Sequence, residues 1–269
     1  MTLAEVNMPT DSWDDFGPPE RRFHLINVSL GKSGTTSIAG IFRHYRAAHE
    51  FMFPEAAEAI HAYTHGRLDA AGLRRFALLR AVAGGLEVDS ASFNHWYADH
   101  LAAAFPRARF VLCIREPRAW LESALGQMWR EHHAAQGEGR PIRPWLQQIG
   151  DVIVGPFDWS VFEELPSLRQ ALPGLAAPLL RYWGRAHQTL LDRLPWTRWL
   201  VLETPALSNA ATRLADLAGV AVDTLDRSAT HLHRRGSEPR LLPESDPAWL
   251  VDAIDRECGR TWLALRAKL

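Results

Sequence analysis

Short apolar segments alternate with amphipathic segments along most of this chain, and this alternation constrains the fold more than any other feature of the sequence. The clearest apolar segment is Arg109–Ile114, which is rich in residues that favour strands. Residues 23–30 have the same character, and the spacing of apolar residues from 35 to about 45 predicts a helix after them. Strands that alternate with helices form crossover units, so we expect a central, mainly parallel sheet with helices on both faces.

The remaining segments extend this pattern. Further strands are expected at residues 47–53, 86–88 and 198–202, and further helices after Pro54 and at 73–83, 96–105, 117 to about 133, 179–194, 209–218 and 249–267. Residues 146–178 carry scattered tryptophan, phenylalanine and proline without a clear period, which indicates irregular helices and a lid. We therefore expect a flexible leader over residues 1–22 and one α/β domain over residues 23–269, with a lid and acceptor region at about 127–178.

The composition of the 269 residues excludes several classes of protein. A hydrophobic fraction of 47% and a charged fraction of 23% are those of an ordinary globular domain, not of a coiled coil or a disordered chain. The 30 basic and 31 acidic side chains give a net charge of −1, without the basic surplus of a dedicated nucleic-acid binder. Cys113 and Cys258, the two cysteines, are too few for a disulfide framework or a cysteine-rich zinc site, and they indicate a reducing compartment.

The N-terminal residues and the hydropathy of the chain bear on its location. The N-terminus is polar and acidic, without a basic start or an apolar core, so we expect neither a secretory signal nor a transit peptide. No segment approaches the roughly 18 consecutive apolar residues of a membrane helix. We therefore expect a cytoplasmic protein without a membrane or nucleic-acid partner, and the oligomeric state stays open.

A Gly-Lys-Ser-Gly-Thr-Thr-Ser segment lies between the first expected strand and the first expected helix. Its small residues allow backbone N–H groups to close around an anion, its hydroxyls donate hydrogen bonds, and its lysine adds a full positive charge. The residues expected to bind the anion are Gly31, Lys32, Ser33, Gly34, Thr35, Thr36 and Ser37. A Walker A loop would need a glycine at position 26, which is Ile26 within the strand, so this segment is not that loop.

A second pair of anion-binding candidates follows the strand at Arg109–Ile114. Arg115 comes directly after that strand, at the edge where open parallel sheets bind ligands. Ser123 lies two turns into the next expected helix, on a face suited to the same anion. A guanidinium binds two phosphate oxygens and a hydroxyl binds a third, so the pair predicts a phosphate site. An arginine that pairs with Glu116 or Glu122 at the surface is the alternative.

Together these two motifs resemble those of the sulfotransferases that use 3′-phosphoadenosine 5′-phosphosulfate (PAPS). Residues 32–37 are similar to their 5′-phosphosulfate loop, although Gly31 stands where many members have proline. The spacing of Arg115 and Ser123 is similar to that of their 3′-phosphate site. The resemblance implies a P-loop-like three-layer α/β/α fold with a helical lid insertion, with PAPS as donor and adenosine 3′,5′-bisphosphate (PAP) as product.

Two later segments agree with this resemblance. Residues 200–204 and the helix after them are similar to the late strand and helix of these sulfotransferases. Arg234, Arg235 and Gly236 resemble the basic loop that covers the 3′-phosphate, and a solvated basic turn is the alternative.

Sulfuryl transfer needs a group that stabilises charge on the departing oxygen and a base that removes the acceptor proton. We expect Lys32 to act on the departing 5′-phosphate oxygen. The resemblance implies a histidine or glutamate base on or after the second or third strand, and His49 and Glu50 are the leading candidates. Strand alternation would let only one of these two side chains face the site.

A second candidate region follows the third expected strand. Asp89, Ser90 and His95 are expected to contribute the base or to bind the acceptor. A helix cap by Asp89 or Ser92 and a structural His95 are the alternative. The choice of base among His49, Glu50, Asp89 and His95 stays open at this point.

The resemblance implies an enzyme that transfers a sulfuryl group from PAPS to a hydroxyl, less readily an amine, of a small molecule or sugar. No metal ion is required for this reaction. The alternatives are a P-loop-like kinase that uses ATP and a nucleotide-binding protein without catalysis. A kinase would need the complete Walker A loop that is absent here, and Lys32 with a His-Glu pair nearby argues against the non-catalytic alternative.

Overall fold

The computed structural model describes residues 21–231 and 239–269, which form two compact units. The first unit contains the described residues up to Ile114 together with residues 190–231, and the second contains residues 115–189 and 239–269. Residues 1–20, most of the expected leader, lie outside the described residues. The division into a leader and one domain over residues 23–269 stays a prediction.

The first unit contains a five-stranded sheet in which all neighbouring strands are parallel. The strands lie in the order β2-β3-β1-β4-β5. Their bounds are Leu25–Asn27 for β1, Ala47–His49 for β2, Val88–Ser90 for β3, Arg109–Ile114 for β4 and Trp199–Glu203 for β5. This sheet and its flanking helices confirm the expected α/β fold class with a parallel central sheet.

Helices follow the strands as the crossover pattern predicts. Those of the first unit are α1 (Thr35–Ile41), α2 (Phe53–Thr64), α3 (Ala70–Gly84), α4 (Ala98–Ala104) and α8 (Ala211–Ala218). Leu25, Val111 and Ile38 belong to a buried cluster that joins one face of the sheet to α1 and α8. Ile26 and Phe110 alternate to the opposite face and are also buried. Both faces of the central strands are therefore covered, which explains their continuous apolar sequence.

The second unit is helical. Its helices are α5 (Pro117–Gly137), α6 (Pro144–Val154), most of α7 (Leu165–Arg193), α9 (Ala248–Ile254) and α10 (Arg260–Arg266). A π-helical turn, Asp255–Gly259, joins α9 to α10 where the sequence predicted one continuous helix. A Cβ atom on Gly184 of α7 would lie 2.1 Å from the Glu257 carbonyl oxygen of this turn, so only glycine permits the approach.

The expectation of irregular structure over residues 146–178 is wrong for its second half. Helix α7 continues through Pro173 and Pro178 and extends over 29 residues. Each proline removes one backbone N–H donor, which is why proline normally ends a helix. Leu168, Leu172 and Leu175 are buried along one face, and this burial holds the helix together across both prolines.

Several other strands and helices begin or end at different residues than the sequence predicted. The strands expected at 23–30 and 47–53 are shorter, with β1 confined to Leu25–Asn27 and β2 to Ala47–His49. The helix expected at 96–105 begins with a 3₁₀ turn, Asn94–Tyr97, and the one expected at 209–218 follows a 3₁₀ segment, Thr204–Asn209. Over the described ranges 21–231 and 239–269, no helix combines the length and apolar character needed to cross a bilayer.

Candidate active site

The loop between β1 and α1 has an unusual backbone. Lys32 has φ 69° and Gly34 has φ 94°, so two of its residues adopt the left-handed conformation. A Cβ atom on Gly34 would also lie 2.6 Å from Leu207 Cδ1, so glycine is required there for conformation and for space. Lys32 has a Cβ atom, so its left-handed backbone is strained. The surrounding structure holds it in that conformation.

The base of this loop is fixed by buried hydrogen bonds from Asn27, the last residue of β1. The Asn27 Oδ1 atom accepts from the Ser29 backbone N–H at 2.9 Å and from the Ser29 hydroxyl. The Cys113 N–H of β4 in turn donates to the Ser29 Oγ atom at 2.7 Å. A polar residue in an otherwise apolar strand therefore ties the start of the loop to the neighbouring strand.

Ser90, at the end of β3, supports the same loop. Its hydroxyl accepts from Asn27 Nδ2 at 2.9 Å and donates to the Thr35 carbonyl at 2.7 Å. The Ser90 side chain is fully buried. These contacts give Ser90 a role in holding the loop, not the acceptor contact that the sequence analysis expected.

His49 and Glu50 lie beside the loop, and their side chains contact each other. His49 Nε2 is 3.1 Å from Thr35 Oγ1, 3.2 Å from Thr36 Oγ1 and 3.4 Å from Glu50 Oε1. The expected alternation of the two side chains does not hold, because β2 ends at His49 and Glu50 has φ 57°. The left-handed turn brings both side chains together at the carboxyl end of β2.

The Glu50 carboxyl has a distinct electrostatic environment. Its Oε1 accepts from the Ser92 N–H at 3.1 Å, whereas its Oε2 is buried without a hydrogen-bond partner among the described residues. Burial raises the pKa of Glu50 to about 7, against a smaller opposing effect of the Ser92 hydrogen bonds and of Arg80. A carboxyl with a pKa near neutrality exchanges a proton readily at physiological pH.

The other acidic candidate, Asp89, is occupied by a buried ion pair. Its two carboxylate oxygens accept from Arg80 Nη1 at 2.5 Å and Nη2 at 2.8 Å. Asp89 retains 4% exposure and Arg80 retains 2%. His95 is also buried, and its Nδ1 lies 2.9 Å from the Ser92 carbonyl oxygen. The Ser92 contact of His95 matches its structural alternative, whereas Asp89 forms an ion pair with Arg80 that the sequence did not predict.

The predicted 3′-phosphate pair lies outside the first unit. Arg115 and Ser123 belong to the second unit, where Ser123 is part of α5. The Glu116 carboxylate caps that helix by accepting from the Arg118 and Ala119 N–H groups, at 3.0 and 2.7 Å. The predicted basic loop, Arg234, Arg235 and Gly236, lies outside the described residues. A 3′-phosphate site at these positions stays a prediction.

Sequence reasoning missed Asn27, Arg80 and Asn94, which connect the loop to the Glu50 turn. Asn94 Nδ2 donates to the Asn27 carbonyl at 3.0 Å, and Arg80 Nη1 donates to Asn94 Oδ1 at 3.2 Å. A signal for Asn27 was available, since it interrupts a run of apolar residues in a buried strand. Arg80 gave no comparable signal, because an arginine within a helix normally faces solvent.

Comparison with known proteins identifies the family of the chain. The family model described as "Sulfotransferase domain" matches residues 24–164, which contain β1 to β4 and the loop after β1. No curated protein sequence matches the chain.

Two solved structures match most of the chain. A sulfotransferase from Alicyclobacillus acidocaldarius is 15% identical, with 91% of this chain and 96% of that chain covered at a TM-score of 0.50. The sulfotransferase domain of the olefin synthase from Synechococcus PCC 7002 is 12% identical, with 96% and 98% covered at a TM-score of 0.41. Since the family match extends over more than half of the 269 residues, this chain belongs to the sulfotransferase domain family.

Proposed function

We propose that this protein transfers a sulfuryl group from PAPS to a hydroxyl of a small molecule or sugar, with Glu50 as the general base. The observation that carries the proposal is the Glu50 carboxyl, whose Oε2 atom is buried and which lies next to His49. His49 Nε2 is itself within 3.2 Å of two hydroxyls of the loop. A base for the acceptor and a loop suited to an anion are therefore adjacent within one unit.

The loop fits a phosphosulfate group. Ser33 Oγ is buried and has no hydrogen-bond partner among the described residues. A buried hydroxyl without a partner is costly, and an oxygen of a bound phosphosulfate would provide that partner. Lys32 adds the only full positive charge of residues 29–37. Hydroxyl and backbone donors with one lysine suit a charged, oxygen-rich ligand.

Each residue then has one task. PAPS supplies the sulfuryl group, whose bond to the 5′-phosphate oxygen breaks as the acceptor oxygen bonds to sulfur. Glu50 takes the proton of the acceptor hydroxyl, because its raised pKa makes it a stronger base than an ordinary carboxylate. Lys32 stabilises the negative charge that the 5′-phosphate oxygen gains. His49 orients the Thr35 and Thr36 hydroxyls and the Glu50 carboxyl.

The donor is tested by comparing ligands in a thermal-shift experiment. Saturating PAP should raise the melting temperature by several degrees, since a ligand at 100 times its Kd stabilises the native state by about 2.7 kcal/mol. ATP with magnesium should have a much smaller effect. A larger shift with ATP and magnesium would contradict the proposal in favour of a kinase.

The site of the 3′-phosphate is tested with the same ligand. Arg115→Ala should weaken PAP binding at least tenfold in calorimetry, because it removes a bidentate, charge-assisted contact. The melting temperature without ligand should change little. Equal affinity in the variant and the parent protein would remove Arg115 from the donor site.

The acceptor is identified by product formation. Sulfur-labelled PAPS is supplied with a panel of phenols, primary alcohols, sugars and amines, and labelled products are separated from the donor. Hydroxyl acceptors should give the faster turnover. If PAP binds but no acceptor yields product above the rate with water, the non-catalytic alternative replaces the enzyme.

A further inference from the structure

Arg80 is a buried charged residue on α3 that no motif indicates. Its guanidinium binds Asp89 through two hydrogen bonds and lies 4.7 Å from the centre of the Phe93 ring. Burial disfavours the charge of Arg80, but the Asp89 carboxylate outweighs this effect and its pKa is raised. Arg80 is therefore a permanent, fully desolvated cation within the first unit.

The third nitrogen of this guanidinium reaches the turn that carries Glu50. Arg80 Nε donates to the Phe51 carbonyl at 2.9 Å. Phe51 lies between Glu50 and Met52, which both have left-handed backbones, with φ 57° and φ 54°. Two strained residues so close together persist only where the surrounding structure holds them. The Arg80 contact is placed at the centre of this strained turn.

The same guanidinium is connected to the start of the loop. Arg80 Nη1 donates to Asn94 Oδ1 at 3.2 Å, and Asn94 Nδ2 donates to the Asn27 carbonyl at 3.0 Å. One side chain therefore joins the Glu50 turn, β3 through Asp89, and the end of β1. Rigid support of this kind fixes a reacting group within the short distances that proton transfer requires.

We propose that Arg80 is a positioning residue, which holds the Glu50 turn in place and keeps the Glu50 Oε2 atom buried beside the loop. The proposal rests on the function proposed above for Glu50. Arg80 acts on the pKa of Glu50 in two ways, through its charge and through the hydrogen bonds that hold the turn. Loss of the charge alone would raise the pKa of Glu50, because a nearby cation favours the ionised carboxylate. Release of the turn would expose the carboxyl and lower that pKa.

The titratable and charged groups that face Glu50 lie on four elements. They are His49 on β2, Arg80 on α3, Asp89 on β3 and Tyr97 before α4. Since Asp89 is also close to Glu50, its negative charge raises the pKa of that carboxyl. A substitution at Arg80 alone keeps His49, Asp89 and Tyr97 in the chain, so a change in the Glu50 pKa is attributed to Arg80.

The test is a carbon-13 NMR titration of the Glu50 carboxyl in the parent protein and in Arg80→Met. The expected result is a pKa that falls from about 7 towards 4.5, the ordinary value for a glutamate. Turnover with the best acceptor of the panel should fall at least tenfold, while PAP binding changes less than threefold. A Glu50 pKa that rises or stays at about 7 would overturn the positioning role.

Arg198→Met is the matched control. Arg198 also holds backbone carbonyls in the first unit, those of Ala102 at 2.8 Å and Phe105 at 3.0 Å, but before β4 and away from the Glu50 turn. It should lower the melting temperature yet leave the Glu50 pKa and turnover unchanged. If Arg198→Met lowers the Glu50 pKa and the turnover as Arg80→Met does, general destabilisation explains the result and the proposal is wrong.

Two further variants keep the test decisive. If Arg80→Met does not fold, Arg80→Met combined with Asp89→Asn removes both buried charges, a replacement that proteins often tolerate. Its Glu50 pKa should fall in the same way. Glu50→Gln separates the two proposals, because full activity in that variant would refute Glu50 as the base. The NMR titration would still decide whether Arg80 holds the turn.

Discussion

Glu50 lies at the carboxyl end of the strands of the sheet and Glu87 at the amino end, and their pKa values are shifted in opposite directions. Glu50 follows the carboxyl end of β2, and burial raises its pKa to about 7. Glu87 precedes the amino end of β3 and is fully buried. Burial alone would raise the pKa of Glu87 too, but hydrogen bonds from Arg22 and Arg46 outweigh burial and lower it to about 2.

The number of hydrogen-bond donors explains the difference. Arg22 donates to Glu87 from its backbone N–H and from two side-chain nitrogens, at 3.2, 2.8 and 2.9 Å, and the Arg46 N–H adds a fourth bond at 3.0 Å. Among the described residues, Glu50 Oε2 has no donor. A carboxylate with donors on both oxygens stabilises the fold, whereas one with a buried oxygen that lacks a donor binds a proton more readily and is available for chemistry.

The largest effect is expected at the loop beside Glu50. Lys32→Ala should lower kcat by roughly 100- to 1000-fold, the usual cost of removing one group that stabilises charge in a transition state. The melting temperature without ligand should change little, because alanine keeps the same left-handed backbone at position 32 that the lysine has. Turnover is measured with saturating PAPS and the best acceptor.

The control is Lys268→Ala, since the sequence has two lysines, Lys32 and Lys268. It removes the same charge near the C-terminus and should leave kcat within twofold of the parent protein. Equal turnover of Lys32→Ala and the parent protein would refute the role of Lys32 in the reaction.

Glu50→Gln should separate activity from stability. We expect turnover at pH 8 to fall about 100-fold or more, as for removal of a general base. We also expect a gain in stability above pH 7 of up to about 3 kcal/mol, from the raised pKa. As the pH rises from 4.5 to about 7, the unfolded chain releases the Glu50 proton first, so the parent protein loses stability. Urea unfolding at pH 4 and pH 8 checks this sign.

Glu87→Gln should have the opposite effect on stability. The lowered pKa of Glu87 stabilises the native state above pH 4.5, and this contribution is lost as the pH falls towards 2. The variant should lose on the order of 2 kcal/mol at pH 7, discounted because the Arg22 side chain is 60% exposed. Its turnover should change less than twofold. Stability equal to the parent protein at pH 7 would contradict the comparison.

The smallest effect is expected for His49→Gln. This variant keeps a donor near Thr35 and Thr36, so turnover should fall by roughly tenfold, about 1.4 kcal/mol. The rise of kcat/KM with pH near 7 should persist, because Glu50 is the group that titrates. If the rise disappears in His49→Gln and remains in Glu50→Gln, His49 is the base.

The order of elements in the fold could be predicted from the sequence because each element carries its own local pattern. Arg109–Ile114 was predicted with its observed bounds, since β-branched and aromatic residues favour a buried strand. Helix α7 could not be predicted in full, because its prolines oppose a helix locally and only the packing of residues such as Leu172 compensates. The apolar spacing of residues 168, 172, 175 and 179 was a signal for it.

The residues of the candidate site were predicted less completely. The loop after β1 and the pair His49 and Glu50 were identified from residue type and position after a strand. Asp89 and Ser90 were assigned to acceptor binding, but each is used inside the first unit to hold another residue in place. Their partners, Arg80 and Thr35, are 9 and 55 residues away, and no local pattern indicates which distant group a side chain contacts.

The sequence by itself determined the parallel sheet, the place of the anion-binding loop and the supply of acidic and basic groups near it. It did so because hydrophobic periodicity and turn chemistry act over short stretches of chain. Only the tertiary structure decided which glutamate titrates near neutrality. The pKa of a carboxyl depends on burial and on donors from distant segments, and these are set when strands β2 and β3 and helix α3 pack together.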